Sequence, residues 1–142
     1  QFGVGAGGRL PAPWQNVYLA GGAAYSYMQK KGDRRVNRST VNLDLGYFFS
    51  PRFSAHVGLT HRETYHGLDF PAAIFNADGS LNEENLFHHD TIRNISFTEV
   101  QLGMSYQLTD RLTLSSDAGR TVHGANANLI KSAISFGISR SF

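Results

Sequence analysis

The stretch from Asn37 to Phe49, NRSTVNLDLGYFF, alternates apolar and polar residues with a period of two. From Val41 onwards its odd-numbered positions are apolar, while its even-numbered positions up to Gly46 are polar or glycine. Successive residues of a β-strand point to opposite sides, whereas a helix would mix these residues around its whole circumference. The stretch therefore predicts a strand with one apolar and one polar face.

The same alternation recurs along the chain and predicts seven strands. Their approximate ranges are 2–10, 16–28, 37–49, 52–63, 93–107, 112–123 and 128–142. Most exceed the five or six residues that are typical of soluble domains, and they suit the roughly 9–11 residues that cross a bilayer. We therefore predict an all-β fold, an antiparallel up-and-down transmembrane β-barrel in the outer membrane of a Gram-negative bacterium.

The connections between the predicted strands alternate in length. Pro11–Gln15, Ser50–Pro51 and Leu108–Arg111 are short, whereas Gln29–Val36 and the segment 64–91 are long. Outer-membrane barrels have short periplasmic turns and long extracellular loops. The segment 64–91 is therefore predicted to be a long extracellular loop.

The predicted strand number bears on domain organisation. Bacterial single-chain barrels have an even number of strands, and they begin in the periplasm. Residues 1–142 are therefore expected to form a single barrel domain, or the C-terminal part of a larger barrel that has at least one more N-terminal strand.

Composition narrows the function classes. The formal net charge is only +2, which does not favour a nucleic-acid partner. The chain has no cysteine, so neither disulfides nor cysteine metal sites can form. The mean hydropathy of −0.28 is compatible with a barrel, because lipid-facing and lumen-facing residues cancel in the average. We expect no cofactor and no metal.

The polar faces of the predicted strands supply candidate lumen-lining residues. These are Arg38, Asp44, Arg52, His56, Arg62, Glu99, Gln101, Asp117 and Lys131. In a wide barrel they would line a wet channel and tune its selectivity. In a narrow barrel they would pair and fill the interior, because an unpaired buried charge is costly. Both alternatives remain open at this stage.

The segment 64–91 contains an apolar patch with four candidate ligand-binding residues, Leu68, Phe70, Ile74 and Phe75. Such a patch can form a constriction, grip an apolar ligand or contact a protein partner. The stretch 76–84 predicts a turn followed by a short acidic run. The basic run Lys30–Arg35 can bind lipopolysaccharide phosphates, or it can simply be a solvated hairpin tip.

The C-terminal residues Ile134–Phe142 alternate and end on an aromatic residue. This pattern resembles the signal that the outer-membrane barrel assembly machinery recognises, and it would be carried by Phe136, Ile138 and Phe142. Arg140 departs from the pattern. The alternative is an ordinary amphipathic last strand of a soluble sheet.

One stretch carries a family resemblance. The segment Leu102–Leu114, LGMSYQLTDRLTL, followed by Gly119–Thr121 and Gly124, resembles outer-membrane proteins grouped as the MetA pathway of phenol degradation. These proteins are considered similar to channels for hydrophobic compounds. The resemblance covers about the last third of the chain. It implies a passive, porin-like uptake channel for small, often apolar solutes, and it implies no catalytic residues.

Three functions follow from this reading. The preferred one is transport of a small-molecule solute through an outer-membrane channel, with the lipid bilayer and lipopolysaccharide as surroundings. The second is a plugged structural barrel that holds a protein partner through its outer loops. The third is an enzyme, but the pairs Ser54 with His56 and His61 with Glu63 lie in no recognisable catalytic motif, so no catalytic residue is predicted.

Overall fold

The computed structural model describes residues 1–27, 35–69, 74–87, 93–125 and 131–141. These residues contain one antiparallel sheet of seven strands, which neighbour one another in chain order. The elements are β1 (Phe2–Arg9), β2 (Val17–Tyr27), β3 (Asn37–Ser50), β4 (Phe53–Tyr65), α1 (Glu83–Phe87), β5 (Ser96–Thr109), β6 (Leu112–Ala125) and β7 (Ser132–Arg140). The predicted antiparallel up-and-down arrangement of seven strands is confirmed.

The sheet is open rather than closed into a barrel. Strands β1 and β7 form its two edges, and each pairs with a single neighbour. The edges of a sheet present unpaired N–H and C=O groups. The prediction of a barrel therefore goes further than the described fold.

The two tightest connections are two-residue turns. Pro51 and Arg52 join β3 to β4, so Arg52 lies in a turn and not in the strand predicted for 52–63. The Ser50 hydroxyl accepts hydrogen bonds from the amides of Arg52 and Phe53, at 3.3 and 3.1 Å. Short polar side chains of this kind stabilise turns by satisfying nearby amides.

The register of the strands sorts their side chains into two faces, because residues directly opposite one another share a face. On one face, one row across the sheet consists of Leu19, Leu45, Val57, Leu102, Ala118 and Ile134. We call the face that contains this row the apolar face. We call the opposite face, which carries Asp44, His56 and Asp117, the polar face.

Exposure is inverted relative to a soluble sheet protein. On the apolar face, Leu45, Leu102 and Ile134 are 51%, 59% and 71% exposed. Among the described residues, Val36 is the one buried apolar side chain, at 2% exposure. The described elements therefore form no second layer over the apolar face, although apolar residues normally line the core of a soluble domain.

Aromatic side chains border the apolar face at the end of the sheet that carries the short turns. Tyr47, Phe49, Phe53 and Tyr106 form a chain of ring contacts, with successive centroids 4.9, 5.2 and 6.4 Å apart. Trp14, in the β1–β2 connection, is largely exposed near the same end. We call this group of five residues the lower aromatic belt.

A second group of aromatic residues borders the apolar face at the end with the long connections. Phe2 on β1 lies opposite Tyr25 on β2, and Tyr27 lies two residues further along β2 on the same face. The guanidinium of Arg35 stacks 4.7 Å from the centroid of the Tyr27 ring. Together with Tyr65 at the end of β4, the three aromatic residues form the upper aromatic belt.

The segment predicted as a long loop has local structure. Its turn is closed by the Gly79 amide, which donates to the Asn76 carbonyl at 3.0 Å, and Gly79 has a φ of 82°. The Ser80 hydroxyl and amide donate to Asp78 and lower the pKa of its carboxyl group. The side chain of Asn82 caps helix α1 by accepting the Asn85 amide. Within the described residues, no helix is both long and apolar enough to cross a membrane.

Candidate functional site

The polar face brings together seven of the nine predicted lumen-lining residues. They are Arg38, Asp44, His56, Arg62, Glu99, Gln101 and Asp117. Arg52 lies in the β3–β4 turn, and Lys131 lies just before β7, where its carbonyl accepts the Thr121 amide at 3.1 Å. The side chains that share this face come from β3 to β6, in the middle of the sheet.

The centre of the polar face is a row that alternates large side chains with glycine. Across β2 to β7 the row consists of Tyr18, Gly46, His56, Gly103, Asp117 and Ser135. A Cβ atom on Gly46 would overlap the Tyr18 ring, and one on Gly103 would overlap both His56 and Asp117. The large side chains therefore lie across the glycines, which explains why Gly46 and Gly103 are buried on an otherwise accessible face.

His56 lies between two carboxylates within this arrangement. Its Nε2 atom is 3.6 Å from Oδ1 of Asp117 and 4.0 Å from Oδ2 of Asp44. All three side chains are partly accessible to solvent. Protonation of His56 would turn these polar contacts into ion pairs on both sides. In the described part of the chain, no group of histidine and acidic residues has an arrangement that could hold a metal ion.

The next row repeats the pattern with the large residues displaced by one strand. It consists of Ala20, Asp44, Gly58, Gln101, Gly119 and Ala133. Gly58 is buried beneath Asp44 and Gln101. The alternation of side chain and glycine in both directions produces a checkerboard, in which each polar residue has glycine beside it on the neighbouring strand.

Several hydrogen bonds on the polar face run along the sheet. Gln101 Nε2 donates to Glu99 at 3.1 Å, and Thr60 Oγ1 donates to Asn42 at 3.0 Å. These polar groups find their partners within the same sheet. Because these side chains lie along the sheet, they project only a short distance from it.

Sequence reasoning missed the aromatic residues on this face. Arg9 stacks 4.2 Å from the Phe48 ring centroid, and Tyr18 lies 5.5 Å from the same ring. Towards the long connections, Arg62 lies 5.5 Å from the Phe97 centroid. The alternation along each strand could have revealed them, because Phe48 and Phe97 lie an even number of residues from polar side chains and therefore share their face.

A separate polar cluster lies on the apolar face, next to the upper aromatic belt. His61 Nδ1 is 2.9 Å from the Thr98 hydroxyl, and His61 Nε2 is 3.7 Å from Glu63 Oε2. The Ser96 hydroxyl donates to the same carboxylate oxygen at 2.7 Å. The sequence placed His61 and Glu63 on one face, and the structure adds the two hydroxyl groups from β5.

A hydroxyl group, an imidazole and a carboxylate in this order are also the groups that enzymes use when a base activates a nucleophile. Acyl transfer also needs N–H donors directed at the developing oxyanion. Strand β5 pairs on both sides, so its amides point along the sheet towards β4 and β6. Within the described residues, the amides of β5 therefore supply no oxyanion donor to this cluster.

The remaining candidates that the structure describes lie in the long connection and on the apolar face. Leu68 bridges to Arg93 and Phe75 bridges to Leu81 in the long connection, where Ile74 is half-buried. Phe136 and Ile138 lie on the apolar face of β7 and are strongly exposed. Phe70 and Phe142 lie outside the described residues. The structure therefore does not gather the loop candidates and the polar face into one site.

Comparison with known proteins yields no similar family, no similar curated protein and no similar solved structure. The resemblance to channels of the phenol-degradation group thus stays a prediction. The two faces of the sheet are therefore the features from which a function can be inferred.

We expect Gly103→Ala to destabilise the folded protein by about 1–3 kcal/mol, because the added methyl group would displace His56 and Asp117. The measurement is the midpoint of urea unfolding of the folded protein. Gly8→Ala is the matched control, because no atom lies within 4 Å of a Cβ added at Gly8. Equal losses in the two variants would contradict the packing role of Gly103.

Proposed function

We propose that this chain forms the wall of a bacterial outer-membrane β-barrel that acts as a passive channel for small molecules. The observation that carries the proposal is the inverted exposure of the sheet. Water contact with a continuous apolar face costs about 25 cal/mol per Å². A hydrocarbon environment removes that cost, and the polar face then lies on the aqueous side.

The height of the apolar face supports membrane insertion. On β3 the apolar positions run from Val41 to Phe49, eight steps along the strand, which at about 3.3 Å each span about 26 Å. A strand tilt of about 40° reduces this span to about 20 Å along the membrane normal, close to the apolar band of about 25 Å that outer-membrane barrels present.

The two aromatic belts support the same placement. Tyrosine and tryptophan prefer the interface between hydrocarbon and headgroups, because their rings are apolar and their polar atoms can still reach water. The lower and upper belts lie at opposite ends of the apolar face, as girdles of aromatic residues do in transmembrane barrels. The cluster around His61 and Glu63 lies level with the upper belt, where headgroups and water can solvate it.

The free edges of β1 and β7 require pairing in this proposal. An unpaired backbone group in the hydrocarbon region costs several kcal/mol, so an open edge is not tolerated there. We therefore propose that these two edges are closed against one another or through additional strands. Assembly by the barrel assembly machinery, with Phe136 and Ile138 in the last strand, belongs to the same proposal.

The polar face favours a channel over a plugged barrel. Its polar groups find partners along the wall, since Thr60 donates a hydrogen bond to Asn42 and His56 Nε2 lies 3.6 Å from Asp117 Oδ1. A filled interior instead needs long side chains that project inward and pair across the lumen. Gly46, Gly58 and Gly103 add no side chain that projects into the lumen. The lumen is therefore wider for a given number of strands.

The long connection favours a second function, a barrel that binds a protein partner through its outer surface. Phe75, Leu81 and Phe87 are exposed there, and large exposed apolar groups often mark a contact surface. The number of strands separates the two functions. About eight strands leave an interior that side chains fill, whereas larger barrels leave an aqueous channel.

Membrane insertion predicts opposite outcomes for two adjacent residues. Leu43→Arg places a charge on the apolar face and should cost about 2–4 kcal/mol near the bilayer midplane. Asn42→Arg places the same charge on the polar face and should be tolerated. Both variants are folded into lipid vesicles, and the folded fraction of each is measured by its heat-modifiable electrophoretic mobility. Equal folding yields would count against the proposed orientation.

The channel function predicts a stable, ohmic single-channel conductance in a planar bilayer. The protein must first be shown to fold and insert by the same mobility assay. Folded and inserted protein without conductance would contradict the channel and favour the plugged barrel. In that case, the exposed residues of the long connection become the surface on which to search for a partner.

A further inference from the structure

Two arginines lie side by side on the polar face, near the end with the long connections. Arg38 on β3 pairs in register with Thr64 on β4, while Arg62 on β4 pairs with Thr40 on β3. The two arginines are thus diagonal neighbours on adjacent strands, a spacing that long side chains easily bridge. Their positive charges are close enough to repel one another.

Within the described residues, no acidic side chain forms an ion pair with either arginine. Neither Nε atom has a hydrogen-bond acceptor there, although both atoms are buried. Glu63 lies on the opposite face, where Ser96 and His61 contact it. Glu99 is a diagonal neighbour of Arg62 on the polar face, but it forms no salt bridge with Arg62 and accepts a hydrogen bond from Gln101.

Within the described residues, a hydroxyl group and an aromatic ring lie beside the two guanidinium groups. The Thr64 hydroxyl is buried without a partner, beside Arg38. On the other side, the Phe97 ring lies beneath Arg62 and limits the directions that its guanidinium can take. Orientation by an aromatic ring reduces the entropy that an arginine loses when it binds an anion.

From this arrangement we infer that Arg38, Arg62 and Thr64 form a binding site for small soluble oxyanions, such as phosphate or carboxylates. Guanidinium groups recognise both classes through paired hydrogen bonds to two oxygens. The anion would supply the missing countercharge and relieve the repulsion between the arginines. The site lies on the face opposite the proposed lipid contacts, so its ligand comes from solution.

The site also assigns a substrate class to the proposed channel, and this part of the inference rests on that function. Arginine and lysine side chains at a pore make it prefer anions. Because the two arginines lie near the long connections, anions would meet them at the outer end of the lumen. We therefore expect the channel to favour small anionic solutes over cations of the same size.

Binding is tested directly by titrating inorganic phosphate into the folded protein in a phosphate-free detergent, with calorimetry as the readout and sodium chloride added to hold ionic strength constant. The double variant Arg38→Gln with Arg62→Gln should bind at least about tenfold more weakly, since each charged hydrogen bond contributes to affinity. Arg111→Gln, in the β5–β6 turn, is the matched control and should bind like the wild type. Absent binding by the wild type, or equal affinity of wild type and double variant, would overturn the site.

Selectivity is tested by the reversal potential across a planar bilayer under a potassium chloride gradient. The wild type should prefer chloride, and the double variant should shift the reversal potential towards that of potassium, while Arg111→Gln should not. An unchanged reversal potential in the double variant would overturn the selectivity role. Phosphate binding without conductance would refute the channel and leave the site standing, whereas conductance without phosphate binding would refute the site alone.

Discussion

The structure depends on one constraint: a single sheet has to satisfy apolar side chains on one face and polar side chains on the other. In a soluble fold, a second layer covers the apolar face and polar groups turn to water. Here the apolar residues from Leu19 to Ile134 form a continuous exposed row, and the polar side is the more covered one. A lipid environment on one side and water on the other satisfies both faces, which is why the function proposed here is a membrane function.

The polar face achieves its own packing through glycine. A Cβ atom would overlap Tyr18 at Gly46 and His56 at Gly103, whereas Gly58 lies in ordinary contact with Asp44. Side chains that lie along the sheet can bond to neighbours in the same wall, and the wall then needs no partner across a lumen. The same property that stabilises the sheet locally would also leave space for a solute in the proposed channel.

Two groups of residues depart from this division into an apolar and a polar face, and they differ in whether their charges are satisfied. His61 and Glu63 put polar groups on the apolar face, but they satisfy one another and two hydroxyl groups at the level of an aromatic belt. Arg38 and Arg62 do the opposite, since they gather like charges on the polar face without a described counterion. A satisfied cluster at an interface needs no ligand, whereas an uncompensated pair of cations attracts one.

The alternation of residues such as Val41 to Phe49 was sufficient, by itself, to predict the strands and the assignment of seven of the nine candidates to one face. This success has a physical reason, because the period of two is a property of the extended backbone and does not depend on other strands. The sequence could not predict the cross-strand register. Only the tertiary structure decided that His56 lies between Asp44 and Asp117, that Thr98 contacts His61, and that Arg38 and Arg62 are neighbours, because these contacts join residues that are distant along the chain and meet only once the strands are paired.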